Sequence, residues 1–230
     1  MILIALPAYN EAKYIGSIIH DVLAYADEVL VIDDGSTDGT DVVACQSGAR
    51  VMRHVKNRGY GATIQTILKE ARLIKLDVLV IMDADTQHYP EDISQLVAPV
   101  LDGYDLAIGS RNHDSISSFR NLGGNVLSFF TRILSGENIR DSQCGFRAYS
   151  PNAVAKIKPQ ENGMAVSSEI ISLATLQQLS IIEVPVSIKY TKDSSTYNPI
   201  VQGFYTLFKV IGMIIKRRFL REYSTDKSKT

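Results

Sequence analysis

The chain has 230 residues, of which 45% are hydrophobic, and its formal net charge is -1 at pH 7. This length and apolar content predict one large domain, or one domain with a small appendage, and the near-neutral charge argues against a nucleic-acid partner. Two cysteines, Cys45 and Cys144, are too few for a disulfide framework and indicate a reducing, cytoplasmic environment.

No targeting or membrane-spanning segment is expected. Residues 1–6 are strand-like and no basic leader precedes them, so a signal peptide is not predicted. No stretch of about 18 uncharged apolar residues occurs, so a spanning helix is not predicted either.

Strand-like and helix-like segments alternate through the first part of the chain. Short apolar runs predict strands at 1–6, 28–33, 50–54 and from 78, and apolar residues at helical spacing predict helices at 15–23, 40–46, 64–71 and from 90. This alternation predicts an α/β fold with a mostly parallel sheet and helices on both faces.

Polar residues follow three of the predicted strands. The sequence Pro-Ala-Tyr-Asn-Glu occupies 7–11, Asp33 and Asp34 end the second strand, and Asp83 and Asp85 follow the fourth. Since ligands bind at the carboxyl ends of parallel strands, these three polar ends predict one binding site.

Asp83, Asp85 and Gln87 stand at alternate positions after an apolar run. Alternate positions of an extended chain share a face, so the three side chains could converge on a divalent cation. Oxygen ligands with positions left for water and phosphate suit Mg²⁺ or Mn²⁺. The alternative is an ordinary Asp- and Thr-rich turn after a buried strand.

The regular alternation stops after a fifth predicted strand at 106–110, which leads into Arg111. A helix is predicted at 118–135, a polar loop at 141–147, a short strand at 148–149 and a helix near 167–178. Residues 181–190 predict a strand that Pro185 places at a sheet edge. The loop at 192–196 has no apolar anchor.

The last predicted helix runs from Pro199 to about Tyr223, with an apolar face and a basic end. The face could pack on the domain, or it could lie in a membrane interface with the basic residues near anionic lipid. We expect a catalytic domain at 1–198, this helix at 199–223 and a basic, disordered tail at 224–230.

The motifs at 7–11, 31–39, 57–61 and 83–88, in this order, resemble those of the family 2 glycosyltransferases, whose nucleotide-binding architecture is called GT-A. The glutamine after the paired acids, Arg111, Arg120 and the sequence Asp-Ser-Gln-Cys-Gly-Phe-Arg at 141–147 are similar to those of the dolichyl- or polyprenyl-phosphate sugar synthases. The resemblance implies transfer of a sugar, with inversion, from a nucleotide diphosphate sugar to a lipid phosphate at the cytoplasmic face of a membrane.

The resemblance also implies roles for individual residues. The nucleotide would be bound by Pro7, Tyr9, Glu11, Asp33 or Asp34, and Asp83, and the metal by Asp83, Asp85 and Gln87. The acceptor would be bound by Arg111, Arg120, Gln143, Arg147 and Lys192, with Arg147 alternatively a structural partner of Asp141. Asp85, Arg111, Arg120 and Asp141 would serve catalysis most directly.

The acceptor decides whether a base is needed. A phosphate monoester has a second pKa near 6 and is largely ionised at neutral pH, so proton removal is nearly unnecessary. A sugar hydroxyl would need a carboxylate base, for which Asp141 and Glu169 are the candidates. Asp141 is therefore assigned to the acceptor site without being named a base.

One departure from the resemblance concerns the loop after the Glu-Val-Pro strand, where Lys192 is the only cation.

An alternative function is extension of a glycan or a surface-polymer precursor. A nucleotide-sugar-binding protein without activity is a non-enzyme alternative. A Rossmann dehydrogenase is disfavoured because no Gly-x-Gly-x-x-Gly follows the first strand.

Overall fold

The computed structural model describes residues 1–111, 118–189 and 199–226, with parts of two helices described by backbone alone. Within these ranges the strands are β1 Ile2–Ala8, β2 Glu28–Asp33, β3 Arg50–Arg53, β4 Val78–Ile81, β5 Leu106–Arg111, β6 Arg147–Tyr149 and β7 Ile181–Val186.

The described strands form one seven-stranded sheet in the order β3-β2-β1-β4-β6-β5-β7. β1 is an interior strand, and its Ile4 lies opposite Val29 of β2 and Val80 of β4 in parallel register. Only β6 runs antiparallel to its neighbours, β4 and β5. The mostly parallel α/β sheet expected from the sequence is confirmed.

Eight α-helices in the described ranges connect and cover the strands. They are α1 Ile15–Val22, α2 Thr40–Gln46, α3 Tyr60–Ala71, α4 Ile93–Leu101, α5 Ser118–Ser135, α6 Pro151–Lys156, α7 Val166–Leu176 and α8 Pro199–Asp226. A single 3-10 turn at Pro90–Asp92 leads into α4, so the helix start predicted at Pro90 is confirmed.

Both faces of the sheet are buried, which explains why the strands are continuously apolar rather than alternating. Ile4 and Leu6 of β1 pack into the layer that contains α1 and α4, whereas Leu3 and Ala5 pack into the layer that contains α3 and α7. The two cores hold the strand ends in fixed positions relative to each other.

Two elements differ from the sequence-based expectation. β7 ends at Val186 rather than near residue 190, because Ile188 pairs with His88 instead of extending the β5 ladder. The helix α6 was not predicted, although Ser150 accepts a hydrogen bond from Ala153 N and Pro151 occupies the first turn, which is a recognisable helix start.

The C-terminal helix α8 packs on the domain through Val210, Met213 and Ile214, which contact Leu134 of α5 and Ala165. The structure extends this helix to Asp226, beyond the predicted end near Tyr223, and the rest of the predicted tail lies outside the described residues.

No helix in the part of the chain that the structure describes is both long and apolar enough to cross a membrane.

Candidate active site

A pocket of about 790 Å³ opens where β1, β2 and β4 end. The predicted strand-end site is therefore a real cavity, as the geometry of parallel strands requires. The residues expected at a nucleotide that line this pocket are Pro7, Tyr9, Glu11, Asp34 and Asp83, and Asp85 lines it beside them.

The loops after β1 and β2 hold each other in place through side-chain to backbone hydrogen bonds. Asn10 N donates to Ser36 Oγ at 2.8 Å, and Glu11 N donates to Thr40 Oγ1 at 2.9 Å. In return, Thr37 N donates to Asn10 Oδ1 at 2.9 Å. The asparagine and hydroxyl residues of the two motifs thus position Tyr9 and Glu11 at the pocket.

Asp34 is buried at the base of this wall and accepts hydrogen bonds from three described donors. Its Oδ1 lies 2.6 Å from His54 Nδ1 and 3.0 Å from Arg58 N, and its Oδ2 lies 2.8 Å from Gly59 N. The carboxylate is therefore fixed in orientation where it reaches the pocket.

Asp33 is not part of the pocket wall, and its expected contact with a nucleotide is corrected to a structural role. Its carboxylate is fully buried, accepts a hydrogen bond from Ser36 N at 3.0 Å and lies 3.2 Å from Arg53 Nε. Adjacent residues at a strand end point to opposite sides, so only Asp34 can face the cavity.

Two acids in the pocket have pKa values far above their ordinary range. Burial, followed by the charges of Asp85, Asp38 and Asp83, raises the pKa of Glu11 to about 7. Burial, followed by the charge of Asp83, raises the pKa of Asp85 to about 6, while Arg111 acts in the opposite direction. The acids repel one another, so a cation placed among them would be strongly favoured.

Asp83 is held by a tyrosine and a glycine that sequence reasoning did not identify. Tyr60, at the start of α3, donates its hydroxyl to Asp83 Oδ1 at 3.0 Å. A methyl group on Gly145 would overlap Asp83 Oδ2 and lie 2.7 Å from the Tyr60 hydroxyl oxygen. Only glycine at 145 leaves room for the Asp83 carboxylate in this position.

Gln87 does not continue the alternation of Asp83 and Asp85. Thr86 has a φ of 63°, so the chain leaves the extended conformation before Gln87, whose backbone N donates to Asp85 Oδ1 at 3.0 Å. Gln87 does not line the pocket as Asp83 and Asp85 do, and a contact between its side chain and a metal stays a prediction.

Within the described ranges, no three His, Cys, Asp or Glu side chains are grouped closely enough to form a metal site by themselves. Mg²⁺ is often bound by one or two carboxylates together with water and substrate phosphates. The paired acids Asp83 and Asp85, one of them with a pKa raised by burial and by the other's charge, fit a cation held in that way.

Arg111 lies at the end of β5 and is aligned by Asp141. Its Nη2 donates to Asp141 Oδ1 at 2.7 Å, and its Nε donates to Asp141 Oδ2. Glu183 of β7 in turn accepts a hydrogen bond from Asp141 N at 3.1 Å. Neither Arg111 nor Asp141 lines the pocket, but Asp141 orients a guanidinium whose charge acts on Asp85.

Arg147 is a structural residue, and its expected contact with the acceptor is corrected. It is only 2% exposed and donates to the carbonyl oxygens of Cys144, Ser167 and Ser142. Among the described residues it forms no hydrogen bond or ion pair with Asp141, so its alternative role as a structural partner of Asp141 is not supported. Gln143 likewise lies off the pocket wall, with its amide donating to Ser142 and Ser168 hydroxyls at 3.0 Å.

Two expected acceptor residues are not described. The side chain of Arg120 and the whole of Lys192 lie outside the described residues. The segment that leads to Lys192 is nevertheless joined to the acidic loop, because Lys189 N donates to Gln87 O at 2.8 Å and Ile188 pairs with His88.

The far wall of the pocket comes from α8. Gln202, Tyr205 and Thr206 line the cavity together with Gly163 and Met164. The sequence showed α8 only as an amphipathic helix, and no local motif marks its polar residues as part of a site. Their role depends on the packing of α8 against α5.

Comparison with known proteins gives a consistent result. The model for the family described as "Glycosyl transferase family 2" matches residues 3–158. The chain is 30% identical over 239 residues to a UDP-N-acetylglucosamine–dolichyl-phosphate N-acetylglucosaminyltransferase of Methanococcus voltae, covering 92% of this chain and 95% of the relative. It is 31% identical over 202 residues to a polyprenol monophosphomannose synthase of Mycolicibacterium smegmatis, covering 80% and 76%.

Among solved structures, the chain shares its fold with glucosyl-3-phosphoglycerate synthase from Mycobacterium tuberculosis, described in complex with Mn²⁺, UDP and glucosyl-3-phosphoglycerate. The TM-score is 0.75 at 22% identity, and the match covers 94% of this chain and 79% of that one.

Proposed function

Because the chain belongs to glycosyl transferase family 2, we propose that it transfers a sugar, with inversion, from a nucleotide diphosphate sugar to a polyprenyl or dolichyl phosphate. One observation carries the proposal. The acidic pocket lies where β1, β2 and β4 end, and the aligned guanidinium of Arg111, at the end of β5, is close enough for its charge to act on Asp85 although Arg111 does not line the pocket.

The pocket suits the donor. Asp34 offers a fixed acceptor for a base N–H, and Tyr9 and Glu11 lie on the same wall for the nucleoside. A nucleotide bound there would have its diphosphate near Asp83 and Asp85. The two carboxylates and the diphosphate would all be negatively charged and would repel one another at short distance, so a cation is needed between them.

Asp83 and Asp85 are the residues that would hold Mg²⁺ or Mn²⁺. When bound, such an ion neutralises the diphosphate and stabilises the charge that develops as the diphosphate leaves. The hydrogen bond from Tyr60 and the space left by the absence of a side chain at Gly145 keep Asp83 in position for this role. Burial and the charge of Asp83 raise the pKa of Asp85, and two carboxylates that repel each other in this way favour a bound cation.

An anionic acceptor agrees with the contacts of the two candidate bases, Asp141 and Glu169. Asp141 is occupied by the Arg111 guanidinium, and Glu169 accepts hydrogen bonds from Gln160 N and Glu161 N at 2.8 to 3.1 Å. The two candidate bases for a hydroxyl acceptor are thus engaged elsewhere. An ionised lipid phosphate needs positioning rather than a base, and a guanidinium fork provides it.

Peripheral contact with the cytoplasmic face of a membrane is part of the proposal. Phe204 and Phe208 of α8 are 61% and 71% exposed, and Phe129 of α5 is 59% exposed. Large exposed apolar side chains on these helices, together with the basic sequence that ends α8, suit insertion into the interface of an anionic bilayer. Such a location would bring the enzyme to its lipid substrate.

The function is tested by incubating the protein with polyprenyl phosphate, Mg²⁺ and radiolabelled UDP- and GDP-sugars in turn. We expect label in an organic-extractable, mild-acid-labile lipid, and none with Asp85→Ala. Label that appears only in water-soluble or polymeric glycan would support glycan extension instead. Donor binding without any transferred label would support a binding protein and contradict the proposal.

A further inference from the structure

His54 is a buried histidine at the end of β3 that the proposed chemistry does not use. Its Nδ1 lies 2.6 Å from Asp34 Oδ1, and its Nε2 lies 2.9 Å from Thr66 Oγ1 of α3. A carboxylate oxygen can only accept, so Nδ1 must carry the proton. His54 therefore fixes Asp34 through one ring nitrogen, and its other ring nitrogen is held by Thr66 of α3.

The hydrogen bonds on Asp34 can be counted. An ionised carboxylate has about four lone-pair sites, two on each oxygen. Among the described residues, His54 and Arg58 N occupy both sites of Oδ1, and Gly59 N occupies one site of Oδ2. One site, on Oδ2, is left for a ligand in the pocket.

The single acceptor site left on Asp34 discriminates between guanine and uracil. The Watson–Crick edge of guanine presents two adjacent donors, N1–H and an amino N–H, which are satisfied together by the two oxygens of one carboxylate. Uracil presents a single donor, N3–H, between two carbonyl oxygens. A carboxylate with one free site can satisfy uracil, whereas it would leave one guanine donor buried without a partner, which is costly.

We propose that His54 is a positioning residue that leaves the Asp34 carboxylate one acceptor site, and that the donor is consequently a uridine diphosphate sugar. This inference rests on the proposed function, in which Asp34 faces the base. It adds the identity of the nucleoside and a residue that does not touch the substrate.

The first test uses the wild-type chain. Calorimetric titration with UDP and GDP in the presence of Mn²⁺ should show UDP binding more tightly than GDP by about tenfold or more, the ratio expected for one unpaired polar group. Equal or tighter binding of GDP would overturn the uridine assignment. Failure to bind either nucleotide would overturn both this inference and the proposed function.

The second test concerns His54 itself. His54→Ala removes the hydrogen bond that orients Asp34, so we expect UDP affinity to fall about tenfold. It also frees an acceptor site on Asp34 Oδ1, so the preference for UDP over GDP should narrow. His54→Asn retains an N–H donor and should restore the preference, which a purely structural defect would not allow. His20→Ala, at an exposed histidine of α1, is the matched control. Unchanged UDP affinity and preference in His54→Ala would overturn the role of His54.

Failure of this inference can be told apart from failure of the proposed function. Transfer to polyprenyl phosphate from a GDP-sugar alone would refute the uridine assignment and keep the function. A preference for UDP without transfer to polyprenyl phosphate would keep the uridine assignment and refute the proposed function.

Discussion

Arg111 and Asp141 form a two-pronged ion pair, with Arg111 Nη2 2.7 Å from Asp141 Oδ1 and Arg111 Nε donating to Oδ2. The two residues come from different segments, the end of β5 and the loop before β6, and Asp141 is almost fully buried. The pair therefore fixes the plane of a guanidinium whose charge acts on Asp85, and a planar cation held in one orientation suits recognition of a phosphate.

Replacing Asp141 tests this alignment. In Asp141→Ala the guanidinium loses the two hydrogen bonds that align it, and we expect kcat/KM for polyprenyl phosphate to fall by roughly 10- to 100-fold, or about 1.5–3 kcal/mol. Nucleotide affinity should stay within about twofold of wild type by the same reasoning. An equal loss of nucleotide affinity would show that Asp141 serves the donor site instead.

Arg147 and Arg111 should differ in what their replacement costs. Arg147→Leu leaves three buried carbonyl groups without a donor, so we expect a loss of about 3 kcal/mol or more in the free energy of unfolding. Arg111→Lys keeps a cation beside the buried Asp141 carboxylate but loses the planar guanidinium, so it should keep the midpoint of thermal unfolding within a few degrees and lose most of the transfer. Thermal unfolding and the lipid-label assay check both. Normal stability with lost transfer in Arg147→Leu would restore an acceptor role for that residue.

Gly145 is expected to matter for the donor although it has no side chain. In Gly145→Ala the new methyl group would displace the Asp83 carboxylate and the Tyr60 hydroxyl. We expect Mn²⁺-dependent nucleotide affinity to fall by about tenfold, since one oriented carboxylate is lost. Gly212→Ala, at an exposed position of α8 with no atom within 4 Å of the added carbon, is the control. Equal effects of the two substitutions would contradict this explanation.

The acidic pocket should make stability depend on pH when no metal is present. The folded pKa of Glu11, about 7, exceeds its ordinary value of 4.5, so the folded chain binds this proton more tightly than the unfolded chain. Stability is therefore expected to decrease as pH rises through the interval between these values, and Asp85, with a folded pKa of about 6, acts in the same direction.

Thermal unfolding in EDTA across this pH range checks the expectation. Glu11→Gln removes one of the titrating groups and should flatten the decrease, whereas Glu91→Gln, at an exposed glutamate, should leave it unchanged. A decrease of the same size in Glu11→Gln and wild type would show that Glu11 is not responsible.

The sequence was sufficient to predict the order of strands and helices and the edge of the sheet where ligands bind. Apolar runs of strand length, each followed by acids or turn residues, can be satisfied by a parallel sheet that is covered on both faces. The positions of Glu11, Asp34, Asp83 and Asp85 at one pocket follow from that geometry alone.

Side-chain direction at the strand ends could not be predicted. Asp33 and Asp34 are chemically identical neighbours, and which one faces the pocket is decided by Ser36, Arg53 and His54, which come from other segments. The burial of Arg147 depends in the same way on three carbonyl groups that meet only in the folded chain. A positive φ at Thr86 ended the alternation that would have included Gln87.

The central claim is that Asp83 and Asp85 bind the donor diphosphate through a divalent cation. The most direct measurement is calorimetric titration of wild type and Asp85→Ala, with Mn²⁺ and with EDTA, using whichever nucleoside diphosphate wild type binds most tightly. We expect EDTA to weaken wild-type binding about tenfold or more, and Asp85→Ala to bind weakly and without dependence on Mn²⁺. Wild-type affinity and the same dependence on Mn²⁺ in Asp85→Ala would contradict the claim.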